Sequence, residues 1–215
     1  MNNTSTYALY WSPGTASMAV HQALIEIGAP HELRELDLDA KAQKSPDYLR
    51  LNPNGTVPTL IVDGAPVYEC AALLLLLAER HPQAQLAPAP GTPSRATFLQ
   101  WMAHFANTLQ PAFRQWFYPQ DFAPEESAAT SKEYARRRVE GVWDRLDAHL
   151  AAHGPYLLGE TLSVADLYAT MLMRWSRNMP KPATQWPHLA ALAQRVKARP
   201  SWKKLYEVEG LSEWA

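Results

Sequence analysis

A proline-rich stretch divides the chain into two parts whose patterns of apolar residues differ. Residues 81–94 contain four prolines, a composition typical of a linker. Before this stretch, short apolar runs typical of strands alternate with segments of helical spacing, whereas only helical spacing follows it. We therefore expect a small α/β domain over residues 1–81 and an all-α domain over residues 95–215.

In the first part, the pattern predicts the element order β-α-β-α-β-β-α. The predicted strands are 7–10, 33–38, 59–62 and 66–68, and the predicted helices are 15–27, 46–51 and 69–80. Gly28 is expected to end the first helix, and Asp63-Gly64 is a dipeptide typical of a β-hairpin turn.

In the second part, the pattern predicts five or six helices. The predicted segments are 93–118, 125–153, a helix that begins after Ser163, and shorter helices after Pro187 and Pro200. Ser163 and Asp166 have the spacing of a capping box, with aspartate in the usual place of glutamate.

Charge and cysteine content limit the classes of function. The 20 basic and 21 acidic residues give a net charge of −1, so nucleic acid is not expected as a main partner. Cys70 is the one cysteine, which excludes an internal disulfide and favours a cytoplasmic location. The longest apolar run, residues 70–78, is too short to cross a membrane, and no secretory leader is expected. The spacing of the histidines predicts no metal site.

The segment Asn52-Pro-Asn-Gly-Thr-Val-Pro-Thr-Leu60 is the sharpest local motif. Pro58 stands at the head of a predicted strand after a glycine turn, where a cis peptide bond is tolerated. A cis Val57–Pro58 bond would turn the backbone groups of Val57 outward, where an extended peptide-like ligand can pair with them as an added strand. From the residues alone, an ordinary trans proline at the start of a strand remains the alternative.

Three separated motifs resemble those of the cytosolic glutathione transferases. They are the 52–60 segment, Glu69-Cys-Ala-Ala72 at the start of a helix, and Leu162-Ser-Val-Ala-Asp166. The resemblance covers nearly the whole chain and implies an α/β thioredoxin-like domain followed by an all-α helical domain, assembled as a homodimer. Tyr10-Trp-Ser-Pro-Gly-Thr-Ala-Ser17 is similar to the opening of the bacterial beta and fungal-type branches.

The resemblance implies a glutathione site in the first domain. Glu69 is suited to the amine of the γ-glutamyl group, and the helix that begins near Cys70 offers free N–H groups to the adjacent carboxylate. The family normally has serine at the position of Cys70, whose thiol is a weaker donor. The other residues assigned to glutathione are Lys41, for the glycyl carboxylate, and Thr56, Val57 and Pro58.

The resemblance also implies that a hydroxyl at the start of the first helix stabilises the glutathione thiolate. A free thiol has a pKa of about 8.5, and lowering it by two units takes about 2.7 kcal/mol, which hydroxyl hydrogen bonds and a helix N-terminus can supply. The candidates are Thr15, Ser17 and Ser12, in that order, because Thr15-Ala-Ser17 matches a Ser-x-Ser pair of the fungal-type branch. Ala16 replaces the cysteine of the beta branch, so mixed-disulfide chemistry is not expected.

The expected activity is conjugation of the glutathione thiolate to small apolar electrophiles, a detoxification reaction in which glutathione is the co-substrate and no cofactor takes part. Trp11, Phe113 and Phe117 are expected to line the pocket for the electrophile. Two alternatives stay open, namely a glutathione-dependent peroxidase or disulfide reductase on the same fold, and a non-catalytic binding protein that retains the fold.

Overall fold

The computed structural model describes residues 6–214, which pack as two units. Unit 1 comprises residues 6–86 and 198–213, and unit 2 comprises residues 87–197 with Trp214. The sequence predicts a boundary in the proline-rich linker but places the last helix in the 95–215 domain. By its packing, that helix belongs with unit 1.

Unit 1 is built on a sheet with the strand order β2-β1-β3-β4. The strands are β1 (Tyr7–Trp11), β2 (His31–Glu35), β3 (Thr59–Val62) and β4 (Ala65–Tyr68). β1 is parallel to β2 and antiparallel to β3, and β4 is antiparallel to β3. Asp63 and Gly64 have φ angles of 51° and 89°, as the turn of a tight hairpin requires. The predicted hairpin is confirmed.

The second strand ends earlier than the sequence predicts. Residues 33–38 were expected, but β2 covers His31–Glu35 and pairs residue by residue with the five residues of β1. The length of β1 therefore decides where β2 ends. Beyond β2, the N–H of Leu36 still lies 2.8 Å from the carbonyl oxygen of Trp11 in β1.

The helices of unit 1 begin and end at the residues that favour such positions. They are α1 (Ser17–Ile27), α2 (Pro46–Leu51), α3 (Cys70–Arg80) and, at the far end of the chain, the helix Pro200–Glu209. Gly28 ends α1 in the left-handed conformation, with φ at 71°. Ser45 caps α2 by accepting a hydrogen bond from the N–H of Tyr48 at 3.3 Å. Both signals were read correctly from the sequence.

Unit 2 is helical. Its helices are α4 (Ser94–His104), α5 (Gln110–Phe117), α6 (Ala128–His153), α7 (Val164–Trp175) and α8 (Pro187–Lys197), so the helix Pro200–Glu209 is α9. A π-helical turn at residues 105–109 joins α4 to α5, where one helix was predicted. α7 is buried on all sides from Val164 to Arg174, so the unit packs around it. Within residues 6–214, no helix is both long and apolar enough to cross a membrane.

The predicted capping box at the start of α7 is present. One carboxylate oxygen of Asp166 accepts from both the N–H and the hydroxyl of Ser163, each at 2.8 Å. The other oxygen accepts from the N–H of Leu157, also at 2.8 Å. Burial nevertheless raises the pKa of Asp166 to about 6. The aspartate therefore ties the loop before α7 to the helix.

Candidate active site

The loop before β3 has the backbone form that its motif predicts. The Val57–Pro58 peptide bond is cis, so of the two forms that the residues left open the cis form is the one present. Within residues 6–214, neither the N–H nor the C=O of Val57 has a hydrogen-bond partner, because the pairing of β3 with β1 begins at Thr59. Both groups are therefore available to pair with an extended ligand.

Two buried side chains hold this loop in place. The hydroxyl of Tyr48 and the Nδ2 amide of Asn52 donate to the carbonyl oxygen of Thr56, at 2.6 and 2.8 Å. Both atoms also contact Oγ1 of Thr59, at 2.7 and 3.1 Å. Burial raises the pKa of Tyr48, which keeps it a neutral donor. Sequence reasoning missed both supports, although Asn52 stands at the start of the motif.

Gly55 is required where this loop turns, and a lysine lies against it. Gly55 has a φ angle of 58°, and a Cβ there would lie 2.9 Å from the carbonyl oxygen of Gln43 and 2.7 Å from Nζ of Lys44. Lys44 donates to the carbonyl oxygen of Asn54 at 3.1 Å. Lys41, the lysine predicted to bind glutathione, is exposed a few residues earlier. Lys44 is thus a cation at the loop, and no pattern in the sequence distinguishes it from a surface lysine.

Glu69 stands directly before α3 in an uncommon backbone conformation. Its φ angle is 79° and its ψ angle is 111°, and its side chain is exposed. Conformations of this kind in residues other than glycine occur preferentially at ligand sites. The first N–H groups of α3 have no acceptor within the helix, and they form its positive end. A carboxylate of glutathione and its neighbouring amine can therefore both find partners here.

The Cys70 thiol has a different role from the one predicted. It was expected to replace the family's serine hydroxyl as a donor to glutathione. Instead, Sγ donates to the carbonyl oxygen of Ala16 at 3.4 Å, and the residue is 3% exposed. Burial raises the pKa of this thiol, so it remains protonated. The Cys70 side chain therefore links the start of α3 to the start of α1 and leaves its backbone N–H for a ligand.

The three predicted hydroxyl residues meet at the start of α1. Oγ1 of Thr15 donates to the carbonyl oxygen of Ser12 at 2.8 Å, and Oγ of Ser17 donates to the same oxygen at 3.2 Å. The two hydroxyl oxygens are 2.8 Å apart. Because one carbonyl can accept from either hydroxyl, Thr15 can turn its proton elsewhere while Ser17 keeps that carbonyl hydrogen-bonded.

Exposure separates these three candidates. Ser17 is 0% exposed and Ser12 is 8% exposed, whereas Thr15 is half-buried. Ser17 can therefore influence a bound ligand only through its hydrogen bond with Thr15. Ser12 uses its backbone for the hydrogen bonds of this cluster, and within residues 6–214 its hydroxyl has no described partner. Thr15 and Ser12 are the two hydroxyls that can donate to a ligand.

A buried carboxylate from α9 holds the turn that leads into α1. Oε2 of Glu209 accepts from the N–H of Gly14 at 3.0 Å, and Oε1 lies 3.0 Å from Nδ1 of His21. The side chains of His21 and Glu209 are 1% and 0% exposed. The position of Thr15 thus depends on a residue near the other end of the chain. No local sequence signal could reveal that pair.

Comparison with known proteins agrees with this arrangement. The model of the glutathione S-transferase N-terminal domain matches residues 15–80, and that of the C-terminal domain matches residues 107–207. The two matches cover more than half of the chain. The chain belongs to the glutathione S-transferase family.

Individual relatives of the transferase match over nearly their full length. Glutathione S-transferase GST-4.5 of Xanthomonas campestris pv. campestris is 34% identical over 95% of this chain and 99% of its own. A Sulfitobacter glutathione transferase homologue, solved with bound glutathione, has a TM-score of 0.88 and 28% identity, covering 96% of this chain and 99% of its own. A sphingomonad glutathione S-transferase complexed with glutathione has a TM-score of 0.83 and 32% identity, covering 95% and 100%. The thioredoxin-like fold, the helical second domain and the transferase function are confirmed, and neither alternative function is favoured.

The aromatic residues expected to line the electrophile pocket of the transferase differ in exposure. Trp11 is 5% exposed and packs on the ring of His21, with centroids 5.9 Å apart, so it belongs to the core of unit 1. In unit 2, Phe113 is 0% exposed, whereas Phe117, stacked on it at 6.1 Å, is 47% exposed. Trp175 contacts both phenylalanines, at 5.7 and 6.4 Å, and was missed because it comes from a distant helix. Phe117 is therefore the predicted pocket residue that can touch a ligand.

Proposed function

We propose that the protein conjugates the glutathione thiolate to small apolar electrophiles, and that Thr15 donates a hydrogen bond to the sulfur. The observation that carries this proposal is the carbonyl of Ser12, which accepts from Thr15 and Ser17 alike. Thr15 can redirect its proton to a thiolate without leaving a buried carbonyl unpaired. Turning the hydroxyl from the carbonyl to the sulfur therefore costs little free energy. Almost all of the stabilisation from the hydrogen bond to sulfur remains.

Glutathione binds beside the loop that leads into β3 of unit 1. The amine of its γ-glutamyl group pairs with Glu69, and the neighbouring carboxylate accepts from the first N–H groups of α3. The cysteinyl backbone pairs with Val57, and the glycyl carboxylate binds Lys41, with Lys44 as a second cation nearby. Supporting this assignment, Val57 has unpaired backbone groups and Glu69 is exposed in its uncommon conformation.

Conjugation then needs an ionised sulfur. The thiol loses its proton to solvent, and the hydrogen bond from Thr15 together with the positive end of α1 stabilises the thiolate. The sulfur lone pair forms a bond to the electrophilic carbon, and the leaving group departs with the electrons of its own bond. Phe117, whose ring is 47% exposed, is proposed as an apolar contact for the electrophile.

The transferase acts as a cytoplasmic homodimer. Membership of a family with this architecture supports the assembly, which light scattering of the purified protein tests. The expected mass is about twice the 24.1 kDa of the chain. A mass of one chain at micromolar concentration would contradict it.

A chloronitrobenzene substrate tests the conjugation itself. We expect a rate that saturates in both glutathione and electrophile, with release of one chloride per conjugate. Phe117→Ala should raise the KM for the electrophile and leave the KM for glutathione unchanged, because it removes an apolar contact of one substrate only. Phe122→Ala is the matched control, since Phe122 is an exposed aromatic of the same segment, at 52%. Glutathione binding without any conjugation above the uncatalysed rate would overturn the proposal.

A further inference from the structure

The end of α6 carries two histidines that conjugation does not use. His149 and His153 are four residues apart on one helix, so their side chains lie on the same face. The centroids of their rings are 4.8 Å apart. The histidines were not expected to form a metal site, but this pair has the spacing with which two histidines of one helix bind a single metal ion.

The distance between the two rings suits a shared ion. A metal–nitrogen bond of about 2.0–2.1 Å places an ion ~3.2 Å from the centre of each ring, so ligand angles of ~90–110° put the centres ~4.5–5.2 Å apart. The observed 4.8 Å lies inside this interval. His153 is exposed, so its ring can adjust to the ion.

His149 is already oriented as metal-binding histidines usually are. Its Nε2 atom lies 2.8 Å from the carbonyl oxygen of Leu157. A carbonyl only accepts, so Nε2 carries the hydrogen and Nδ1 carries the lone pair that a metal needs. A backbone carbonyl bound to the second ring nitrogen is the common outer support of such ligands.

The surroundings of the pair favour a cation. Both histidines line a cavity of about 280 Å³, which Ser94 and Thr97 also line, and among residues 6–214 no lysine or arginine lines it. The pair lies in the last two turns of α6, close to the carboxyl end of the helix. That end carries the negative part of the helix dipole.

We propose that His149 and His153 bind one divalent late-transition-metal ion, with Cu²⁺ bound most tightly. Imidazole ligands suit Cu²⁺, Ni²⁺ and Zn²⁺, and affinity for such a site is highest for Cu²⁺. Within residues 6–214, no third His, Cys, Asp or Glu completes a cluster with them. Water and the hydroxyls of Ser94 and Thr97 fill the remaining positions. The site lies in unit 2 and does not rest on the proposed function.

Titration of the tag-free full chain with Cu²⁺, in a buffer that does not bind metals and without glutathione, tests this site. Calorimetry should show one ion per chain, and the electron paramagnetic resonance spectrum should show coupling to two nitrogen nuclei. His153→Ala should weaken binding by at least about tenfold, because even outer-shell partners of metal ligands are worth 10–100-fold. His149→Gln should weaken it similarly while keeping a donor for the carbonyl of Leu157.

His188→Ala is the matched control, because His188 is an exposed histidine of unit 2 on a different helix. It should leave both the affinity and the spectrum unchanged. Zn²⁺ should raise the melting temperature of the wild type and of His188→Ala, but not that of His153→Ala. The proposal is overturned if His153→Ala binds Cu²⁺ as tightly as the wild type, or if the spectrum of the bound ion shows a single nitrogen.

Discussion

At the scale of single residues, the hydroxyl of Thr15 is expected to set the ionisation of bound glutathione. Thr15→Ala removes the half-buried donor at the start of α1. The pKa of the bound thiol should rise towards its free value, and conjugation near neutral pH should fall about tenfold to a hundredfold, the effect of ~1–3 kcal/mol. Ultraviolet titration of the bound thiolate measures this pKa, and a higher pH should partly restore the rate.

The neighbouring hydroxyls supply the controls for that prediction. Ser17→Ala should have a smaller effect than Thr15→Ala, because Ser17 is fully buried. Ser12→Ala tests the hydroxyl that has no described partner within residues 6–214. If Ser12→Ala raises the pKa of the bound thiol and Thr15→Ala leaves it unchanged, the donor is Ser12.

Glu69 is expected to contribute to the affinity for glutathione. Glu69→Gln replaces a charge-assisted hydrogen bond to the amine of glutathione by a neutral one, so binding should weaken by about 1.5–3 kcal/mol. The fold should persist because the side chain is exposed. Isothermal titration with glutathione measures the change, and Glu79→Gln, an exposed glutamate at the other end of α3, is the control. Equal affinities of the two variants for glutathione would show that Glu69 does not bind glutathione and serves only as the residue before α3.

At the scale of secondary-structure elements, the contact of α9 with α1 is expected to govern both stability and the site. Glu209→Ala leaves His21 without its buried carboxylate partner and removes the carboxylate that accepts from the N–H of Gly14. The free energy of unfolding should fall by about 3–5 kcal/mol, the usual cost of breaking a buried pair. Glutathione should also bind more weakly, because the turn before Thr15 loses its support.

Urea denaturation measures the stability change, and titration with glutathione measures the change at the site. Glu207→Ala is the control on the same helix, since Glu207 is exposed and pairs with Lys204 on the surface. Such surface pairs contribute little. A Glu209→Ala variant as stable as Glu207→Ala would refute this role of α9.

At the scale of the whole molecule, glutathione is expected to stabilise the folded chain by mass action. A ligand at one hundred times its dissociation constant stabilises by about 2.7 kcal/mol, which for a chain of this length raises the melting temperature by about 5–10 °C. Scanning calorimetry over a series of glutathione concentrations measures the shift. For Glu69→Gln, the same shift should need a higher concentration, and an unchanged melting temperature at every concentration would rule out specific binding.

Local patterns in the sequence determined where several helices and the β-hairpin of this protein begin and end. Helix ends and the hairpin turn depend on the φ preference and capping ability of residues next to them in the sequence. They could therefore be predicted from Gly28, Ser45-Pro46 and Asp63-Gly64. The 52–60 segment indicated that a cis bond at Val57–Pro58 is tolerated, with a trans bond as the alternative, and with two further motifs it indicated the glutathione transferase family.

The tertiary structure decided what depends on contacts between distant residues. Whether Phe113, Phe117 or Trp11 is exposed depends on what packs over each ring, and the length of β2 depends on β1. The thiol of Cys70 donates instead to the carbonyl oxygen of Ala16, which stands directly before α1 and far from Cys70 in the sequence. Glu209 supports the turn before Thr15 although the two lie at opposite ends of the chain. Such pairs leave no periodicity in the sequence, because the free energy that selects them comes from burial in the folded state.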